Sequence, residues 1–224
     1  SVSAFLLNRS SDLRLAINYV SNDQFSISNK VVYKHLSSTF VVDGIRYVPV
    51  SPSDHTCDAI DCTYDASIED INIGETVTNK TITLTVMKVN PYTCYQNNHI
   101  KDVKLSFSGN VGDYAFYGCA ALNAVTVSNK GSIGAYAFNS CSALTTVTIS
   151  NQGGIGDNAF QSCSALTTAI INNQGGIGNN AFQSCSALTT ATINNQGSIG
   201  YSAFIGCSLL EKAEFGQNVT SIES

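Results

Sequence analysis

The sequence is poor in charge and has no long apolar run. Asp, Glu, Lys and Arg make up 12% of its 224 residues, and the net charge at pH 7 is −5. Nucleic-acid binding requires clusters of Lys and Arg, and the 11 basic residues of this chain form none. Its apolar runs span only a few residues, well short of the roughly 20 that cross a bilayer. We therefore expect no nucleic-acid partner and no membrane insertion.

The usual sequence signatures of catalysis are also missing. The chain has 3 histidines, and neither a Gly-x-Ser-x-Gly nor a His-Glu-x-x-His pattern occurs. Between Val111 and Leu210 the charged residues are Asp113, Lys130 and Asp157, so this stretch offers almost no carboxylate pair for glycoside hydrolysis. We expect a protein that is not an enzyme, with no catalytic residues, no cofactor and no bound metal.

What the chain has in abundance is self-similarity with a fixed spacing. The segment NAFQSCSALTT occupies residues 158–168 and again residues 180–190. Ala, Phe, Cys and Leu recur at matching positions from Ala115, Phe116, Cys119 and Leu122 to Ala203, Phe204, Cys207 and Leu210. A degenerate further copy begins at Val89, with Asn97 at the cysteine position. The copies are 22 residues apart. A constant period of this length is typical of a solenoid, in which each coil buries its apolar side against its neighbours.

Each copy predicts a strand followed by turns and a short helical segment. Val147 and Ile149 alternate with Thr148, which is the period of a strand with one buried face. Glycines such as Gly175 supply turn chemistry after the strand. Residues 157–163 begin with a capping Asp and contain an apolar cluster, which predicts a short helix or 3₁₀ turn.

Two of these blocks resemble a known family. The segments IGDNAFQSCSALTTAII and IGAYAFNSCSALTTVTI resemble the BspA-like leucine-rich repeats of bacterial surface proteins, and the similarity extends over roughly 89–222. The Asn after each strand comes one residue earlier than in the standard leucine-rich pattern. The resemblance implies a right-handed leucine-rich repeat solenoid of the α/β class, with a parallel β-sheet and short helical or 3₁₀ segments. It also implies a secreted or cell-surface location and attachment to host matrix proteins or to other cells.

The sequence divides into two predicted regions. Residues 1–88 form an N-terminal β-rich capping region, and residues 89–224 form an array of about six coils. Residues 40–48 place an Asp-Gly turn between two apolar runs, which predicts a β-hairpin; members of the resembled family often carry such a hairpin before their repeats. The alternating residues 81–87 predict another strand. Such a region covers the first strand edge of a solenoid.

The cysteines leave several interpretations open. The cysteines of the repeat are expected to be buried, reduced and structural, since a straight ladder of thiols cannot converge on a tetrahedral metal. Cys57 and Cys62 break the period, and a local disulfide between them is one interpretation. A metal site with His55 is another. The nearby acidic residues, Asp58, Asp61, Asp65 and Glu69, are either a calcium site, although their spacing is not that of an EF-hand, or a solvated surface.

The outward positions of the strands predict the binding surface. They carry hydroxyl and amide groups and one exposed aliphatic side chain. The predicted binding residues are Thr146, Thr148, Thr168, Ile170, Thr190, Thr192, Asn172 and Asn194. Tyr114, Tyr117, Tyr136 and Tyr201 are candidate anchors near the predicted helical segments. A simpler explanation is that threonine favours exposed strands.

Together these features predict a non-catalytic, secreted or cell-surface recognition or adhesion module. Its expected partner is an extracellular or host matrix protein, or another surface protein. Two alternatives remain: a structural spacer or assembly segment of a larger surface protein, and a glycan-binding module. The second alternative has the difficulty that the predicted sheet lacks an aromatic platform.

Overall fold

A computed structural model describes the backbone and side chains of residues 39–51, 54–62, 67–80 and 82–223, and the backbone of four earlier strands. The strands are β1 (Ser3–Arg9), β2 (Asp12–Asn18), β3 (Gln24–Ile27), β4 (Lys30–Tyr33), β5 (Phe40–Val42), β6 (Ile45–Ser51), β7 (Thr56–Asp61), β8 (Asp70–Gly74), β9 (Thr76–Asn79), β10 (Ile82–Val89), β11 (Asp102–Ser106), β12 (Ala124–Val127), β13 (Thr146–Ile149), β14 (Thr168–Ile171), β15 (Thr190–Ile193) and β16 (Lys212–Phe215). Among these, β1 pairs with β2 and β3 with β4, each antiparallel.

A five-stranded sheet, here called the cap sheet, precedes the repeats in the order β5-β6-β7-β10-β9. The predicted hairpin is confirmed, since β5 and β6 pair antiparallel across Asp43 and Gly44. Both turn residues have positive φ, 49° and 73°, as a tight type I′ turn requires. A Cβ added at Gly44 would collide with Ile68, so this glycine serves both the turn and the packing beneath it.

The repeats form a seven-stranded parallel sheet in the order β16-β15-β14-β13-β12-β11-β8. From β11 to β16 successive strands are related by a shift of 22 residues, so that Thr146 pairs with Thr168 and Thr168 with Thr190. Six coils start at Val89, Val111, Ile133, Ile155, Ile177 and Ile199, and these residues form a second line of parallel bridges. The predicted solenoid is confirmed.

Identical residues form continuous ladders through the interior of the solenoid. The rings of Phe116, Phe138, Phe160, Phe182 and Phe204 stack along the axis, with centroids 5.0, 5.1, 5.1 and 5.3 Å apart. The first four are fully buried, whereas Phe204 is partly buried. Parallel strands lie about 4.8 Å apart, so a ring placed at the same position in each coil meets its neighbour at stacking distance. The spacing of the strands therefore matches the distance at which the phenylalanine rings stack.

A second ladder satisfies the turns that follow the strands. The amide groups of Asn129, Asn151 and Asn173 donate from Nδ2 to the carbonyls of Gly109, Gly131 and Gly153 in the preceding coil, at 2.7, 3.0 and 3.4 Å. These asparagines are 1% exposed. Buried backbone carbonyls need partners, and an amide at this position supplies one in these three coils.

The predicted short helical segments take another form, because alternate backbone N–H groups in them bond to the next coil. An α-helix would direct the N–H of Phe160 to the carbonyl of residue 156. Instead it donates to Ala181 of the next coil at 2.7 Å, while Asn158 and Ser162 donate to the next coil at 2.8 Å each. Asn158 and Ser162 have φ of 57° and 62°, values that interrupt a right-handed helix. The segments are therefore consecutive turns, and the described residues contain no helix.

The predicted disulfide between Cys57 and Cys62 is wrong. Cys57 lies near the start of β7 and Cys62 directly follows its end. Five residues of strand separate Cα atoms by roughly 16 Å, whereas a disulfide needs Cα atoms within about 7 Å. Cys62 instead bonds to Cys94 of the first coil, with Cα atoms 5.2 Å apart. Cys57 is free and buried. The disulfide thus links the cap sheet to the coils.

The junction between cap and coils involves further contacts. Asn97 donates from Nδ2 to the carbonyl of Cys62 at 3.2 Å, and Thr93 donates to the carbonyl of Ala59 at 3.3 Å. The sheet of the repeats also extends to β8, which precedes Val89 in the chain. The division at residues 88 and 89 stays a prediction. Among the described residues, no helix has the length and apolar character needed to cross a bilayer.

Candidate protein-binding surface

The outward side chains of the sheet form parallel rows across the coils. One row joins Thr146, Thr168 and Thr190, and the next joins Thr148, Ile170 and Thr192, each as direct strand neighbours. The intervening residues, such as Val147 and Ala169, are buried. All the predicted binding residues therefore lie on one surface, which we call the threonine face. It consists of Thr146, Thr148, Thr168, Ile170, Thr190, Thr192, Asn172 and Asn194.

The side chains of the threonine face are partly exposed and partly constrained. Ile170 is 38% exposed in the middle of its row, and Asn194 donates to Asn172 at 2.9 Å. Beside the face, the hydroxyls of Thr167 and Thr189 donate to carbonyls of the preceding coil at 3.1 Å each. The β-branched residues of the face have few rotamers to lose, so little side-chain entropy opposes binding here.

Charge is confined to the two edges of the sheet. Asp70, Asp102 and Lys104 lie on β8 and β11, and Lys212 and Glu214 on β16. On β12 to β15 the outward side chains are uncharged, across a width of about 14 Å. A partner could cover this centre without burying an unpaired charge of this chain, which would be costly.

Tyrosines cluster on the turns, away from the sheet. The rings of Tyr92, Tyr114 and Tyr136 stack with centroids 5.1 and 4.8 Å apart, and Tyr95 stacks on Tyr117 at 5.2 Å. We call these five residues the tyrosine platform. Of the four predicted anchors, Tyr114, Tyr117 and Tyr136 belong to this platform. Tyr201 lies elsewhere, and its backbone N–H donates to Oδ1 of Asn179 at 2.8 Å. Tyr92 and Tyr95 belong to the platform without being predicted anchors, although each lies 22 residues before one.

The cysteines of the coils are placed for packing. The thiols of Cys119, Cys141, Cys163, Cys185 and Cys207 each donate to a carbonyl of the preceding coil, at 3.1 to 3.2 Å. Burial raises the pKa of Cys141 well above its usual value, so this thiol stays protonated and unreactive. These five residues are free, which agrees with the expectation of reduced, structural cysteines.

The alternatives for the acidic stretch meet structural obstacles. Cys62 is engaged in a disulfide, which removes it from a metal site with His55 and Cys57. Asp58 pairs with Lys88 at 3.5 Å and Glu69 with Lys101 at 2.7 Å, so lysines already occupy two proposed calcium ligands. Asp65 lies outside the described residues. No group of three His, Cys, Asp or Glu side chains converges in the described part of the chain.

The repeats match the family model described as a BspA type leucine-rich repeat region, with 6 copies over residues 61–186 and 109–224. The chain belongs to the BspA-type leucine-rich repeat family. Members of this family are typically cell-surface proteins, and their repeat fold is typically non-catalytic. No curated protein has a sequence that matches the chain.

Solved structures of other repeat proteins share the fold. A leucine-rich repeat protein from T. pallidum superposes with a TM-score of 0.63 at 22% identity, over 83% of this chain and 86% of that one. A leucine-rich repeat protein from Bacteroides ovatus gives 0.52 at 21% identity, over 82% and 55%. A leucine-rich cell surface protein from Faecalibacterium prausnitzii gives 0.53 at 20% identity, over 80% and 54%. At these identities the similarity establishes the fold alone.

Proposed function

We propose that the protein is a non-catalytic recognition or adhesion module, secreted or held at the cell surface, that binds an extracellular or host matrix protein through the threonine face. The observation that carries this proposal is the uncharged centre of the sheet, where β12 to β15 present hydroxyls around the exposed Ile170. Burying hydroxyls costs little when a partner supplies hydrogen bonds. Ile170 adds an apolar contact in the middle.

The shape of the surface also supports an extended protein partner. The rows repeat at strand spacing, so the same contacts are offered coil after coil. Many weak and similar contacts along one line add up by multivalency when the partner is long. Affinity then depends on how many coils the partner spans.

Placing lysines on the face tests the proposal. The triple variant Thr148→Lys, Ile170→Lys and Thr192→Lys sets three charges in one row, which any covering partner would have to bury. Binding of the immobilised chain to purified collagen, laminin and fibronectin is measured by surface plasmon resonance. We expect the parent chain to bind at least one of them and the triple variant to bind none.

Three exposed glutamines provide a matched control. Gln152, Gln174 and Gln196 share the 22-residue spacing and lie in the bends after the strands, off the threonine face. Changing all three to lysine adds the same charge and should leave binding intact. Equal loss in both triple variants would show that net charge, and not the threonine face, controls binding.

The alternative of a spacer or assembly segment has one observation in its favour. All four residues of β16 are exposed, including Phe215, which is 46% exposed. An exposed strand edge accepts a further strand. If no matrix protein binds the parent chain, and if both lysine variants are silent in cell-adhesion assays, this alternative replaces the proposed function.

A further inference from the structure

The tyrosine platform is a second surface feature, and the backbone beneath it does not explain it. Tyr92, Tyr114 and Tyr136 have φ of 61°, 57° and 57°. The left-handed region favours Asn over aromatic residues. At the same position in the next two coils the chain has Asn158 and Asn180, with φ of 57° and 54°. Tyrosine therefore occupies these positions against the local preference of the backbone.

Polar amides continue the platform along the solenoid. The line that carries Tyr95 and Tyr117 proceeds through Asn139, Gln161 and Gln183. Asn139 donates to Gln161 at 2.9 Å, and Gln161 donates to Gln183. The turn side of the protein thus presents aromatic rings and phenol hydroxyls in its first coils and a hydrogen-bonded row of amides in the next.

We propose that the tyrosine platform and the adjoining amide row bind an uncharged oligosaccharide laid along the solenoid axis. Pyranose rings have apolar C–H faces, which pack on aromatic side chains, and hydroxyls, which bond to phenols and amides. Tyr92 ends its stack and is 57% exposed, and Tyr95 is 37% exposed. These terminal rings offer the open aromatic surface, while the half-buried amides of Gln161 and Gln183, beyond the buried Asn139, offer polar groups.

The charge around the platform selects neutral sugars. The five tyrosines and the three amides are uncharged, and Asp113 precedes Tyr114 in the same turn. Across the turn residues 91–99, 113–121 and 135–143, no Lys or Arg is present. Sulfated and acidic polysaccharides would meet no cation there and would be repelled by Asp113. This assignment concerns a surface distinct from the threonine face, so either proposal can fail while the other stands.

The composition of the chain supplies a direct measurement. It has 10 tyrosines and no tryptophan, so its intrinsic fluorescence comes from tyrosine alone. The parent chain is titrated with hexasaccharides of glucan, mannan, xylan and chitin, with heparin as the charged probe and decaproline as the peptide probe. We expect a saturable change in tyrosine fluorescence with at least one neutral sugar and none with heparin.

Three variants localise the effect. Tyr92→Ala combined with Tyr95→Ala should weaken binding about tenfold or more. Tyr201→Ala should not, although Tyr201 is 55% exposed, as Tyr92 is at 57%. Tyr92→Phe should keep most of the affinity because the ring remains. The proposal is overturned if no neutral sugar binds, if the double variant binds as well as the parent, or if decaproline binds the platform in place of sugar.

Discussion

The cap sheet and the coils stabilise themselves in different ways. In the coils every strand meets a near-copy of itself, and the parallel pairing from β11 to β16 has no irregularity. In the cap sheet each strand has different partners, parallel and antiparallel, with shifts in register on both sides of β7. Repetition therefore distributes stability evenly, whereas the cap depends on individual contacts such as the Cys62–Cys94 disulfide.

The largest effect is expected in the centre of the coils. Phe160→Ala removes a fully buried ring that stacks on Phe138 and Phe182, and should cost about 3–5 kcal/mol of unfolding free energy. Because repeat proteins couple only neighbouring units, urea unfolding followed by circular dichroism should lose cooperativity as well. Phe204→Ala, at a partly buried ring with one stacking neighbour, should cost less. Equal losses at both sites would contradict the ladder.

The disulfide should matter nearly as much, but at the junction. Cys62→Ser releases a link between residues 32 apart in the sequence, which corresponds to about 3–4 kcal/mol by chain entropy. Urea unfolding under oxidising conditions measures the loss. Cys94→Ser should cost a similar amount, and the double variant little more, since one bond is lost in all three cases. If the reductant-treated parent is as stable as the untreated one, the link does not stabilise the fold.

Alkaline pH should destabilise cap and coils alike. Burial raises the pKa of Cys57 to about 12, with the charge of Asp58 adding to the effect. The ordinary pKa of this thiol is 9.0, so the folded state binds more protons than the unfolded state between about pH 9 and 12. Stability should therefore be intact below pH 9 and fall by about 1.4 kcal/mol per pH unit for this thiol above it. Thermal melts from pH 8 to 10.5, compared with Cys57→Ala, measure this contribution.

Cys141 lets the same experiment compare the two regions. Burial also raises its pKa, so Cys141→Ala should flatten the pH dependence as Cys57→Ala does. A flattening with only one of the two variants would show that the regions differ in thiol burial.

The smallest effect is expected on the threonine face. Thr148→Lys changes a half-buried outward side chain that contacts solvent and should alter stability by no more than about 0.5 kcal/mol. A small change in melting temperature is the condition for using this variant in binding experiments. A loss comparable to that of Phe160→Ala would mean that the row is structural.

The coils could be predicted in detail because residues that recur at the same position of every coil must have the same environment. A side chain such as Phe138 must occupy equivalent space in every coil, so its burial follows from its recurrence at Phe160 and Phe182. The same logic placed the rows of the threonine face. Their role in binding stays a prediction.

The cap could not be predicted to the same extent, because its contacts occur once. The bond between Cys62 and Cys94 depends on how β7 lies against the first coil, and no local spacing encodes that position. The turns differ from the predicted helical segments because the spacing of apolar residues does not reveal the positive φ of Asn158 and Ser162.

The 22-residue period, which is unbroken from Val89 to Ile199, has a consequence for how such a molecule changes length. Residues 158–168 and 180–190 are identical, so excising one full period between them would rejoin two surfaces that already fit. The product would keep every kind of contact and be shorter by one strand spacing, about 4.8 Å. An excision that is not a whole number of periods would turn buried side chains toward water. Insertions and deletions in the repeats therefore preserve the fold only when they add or remove whole coils.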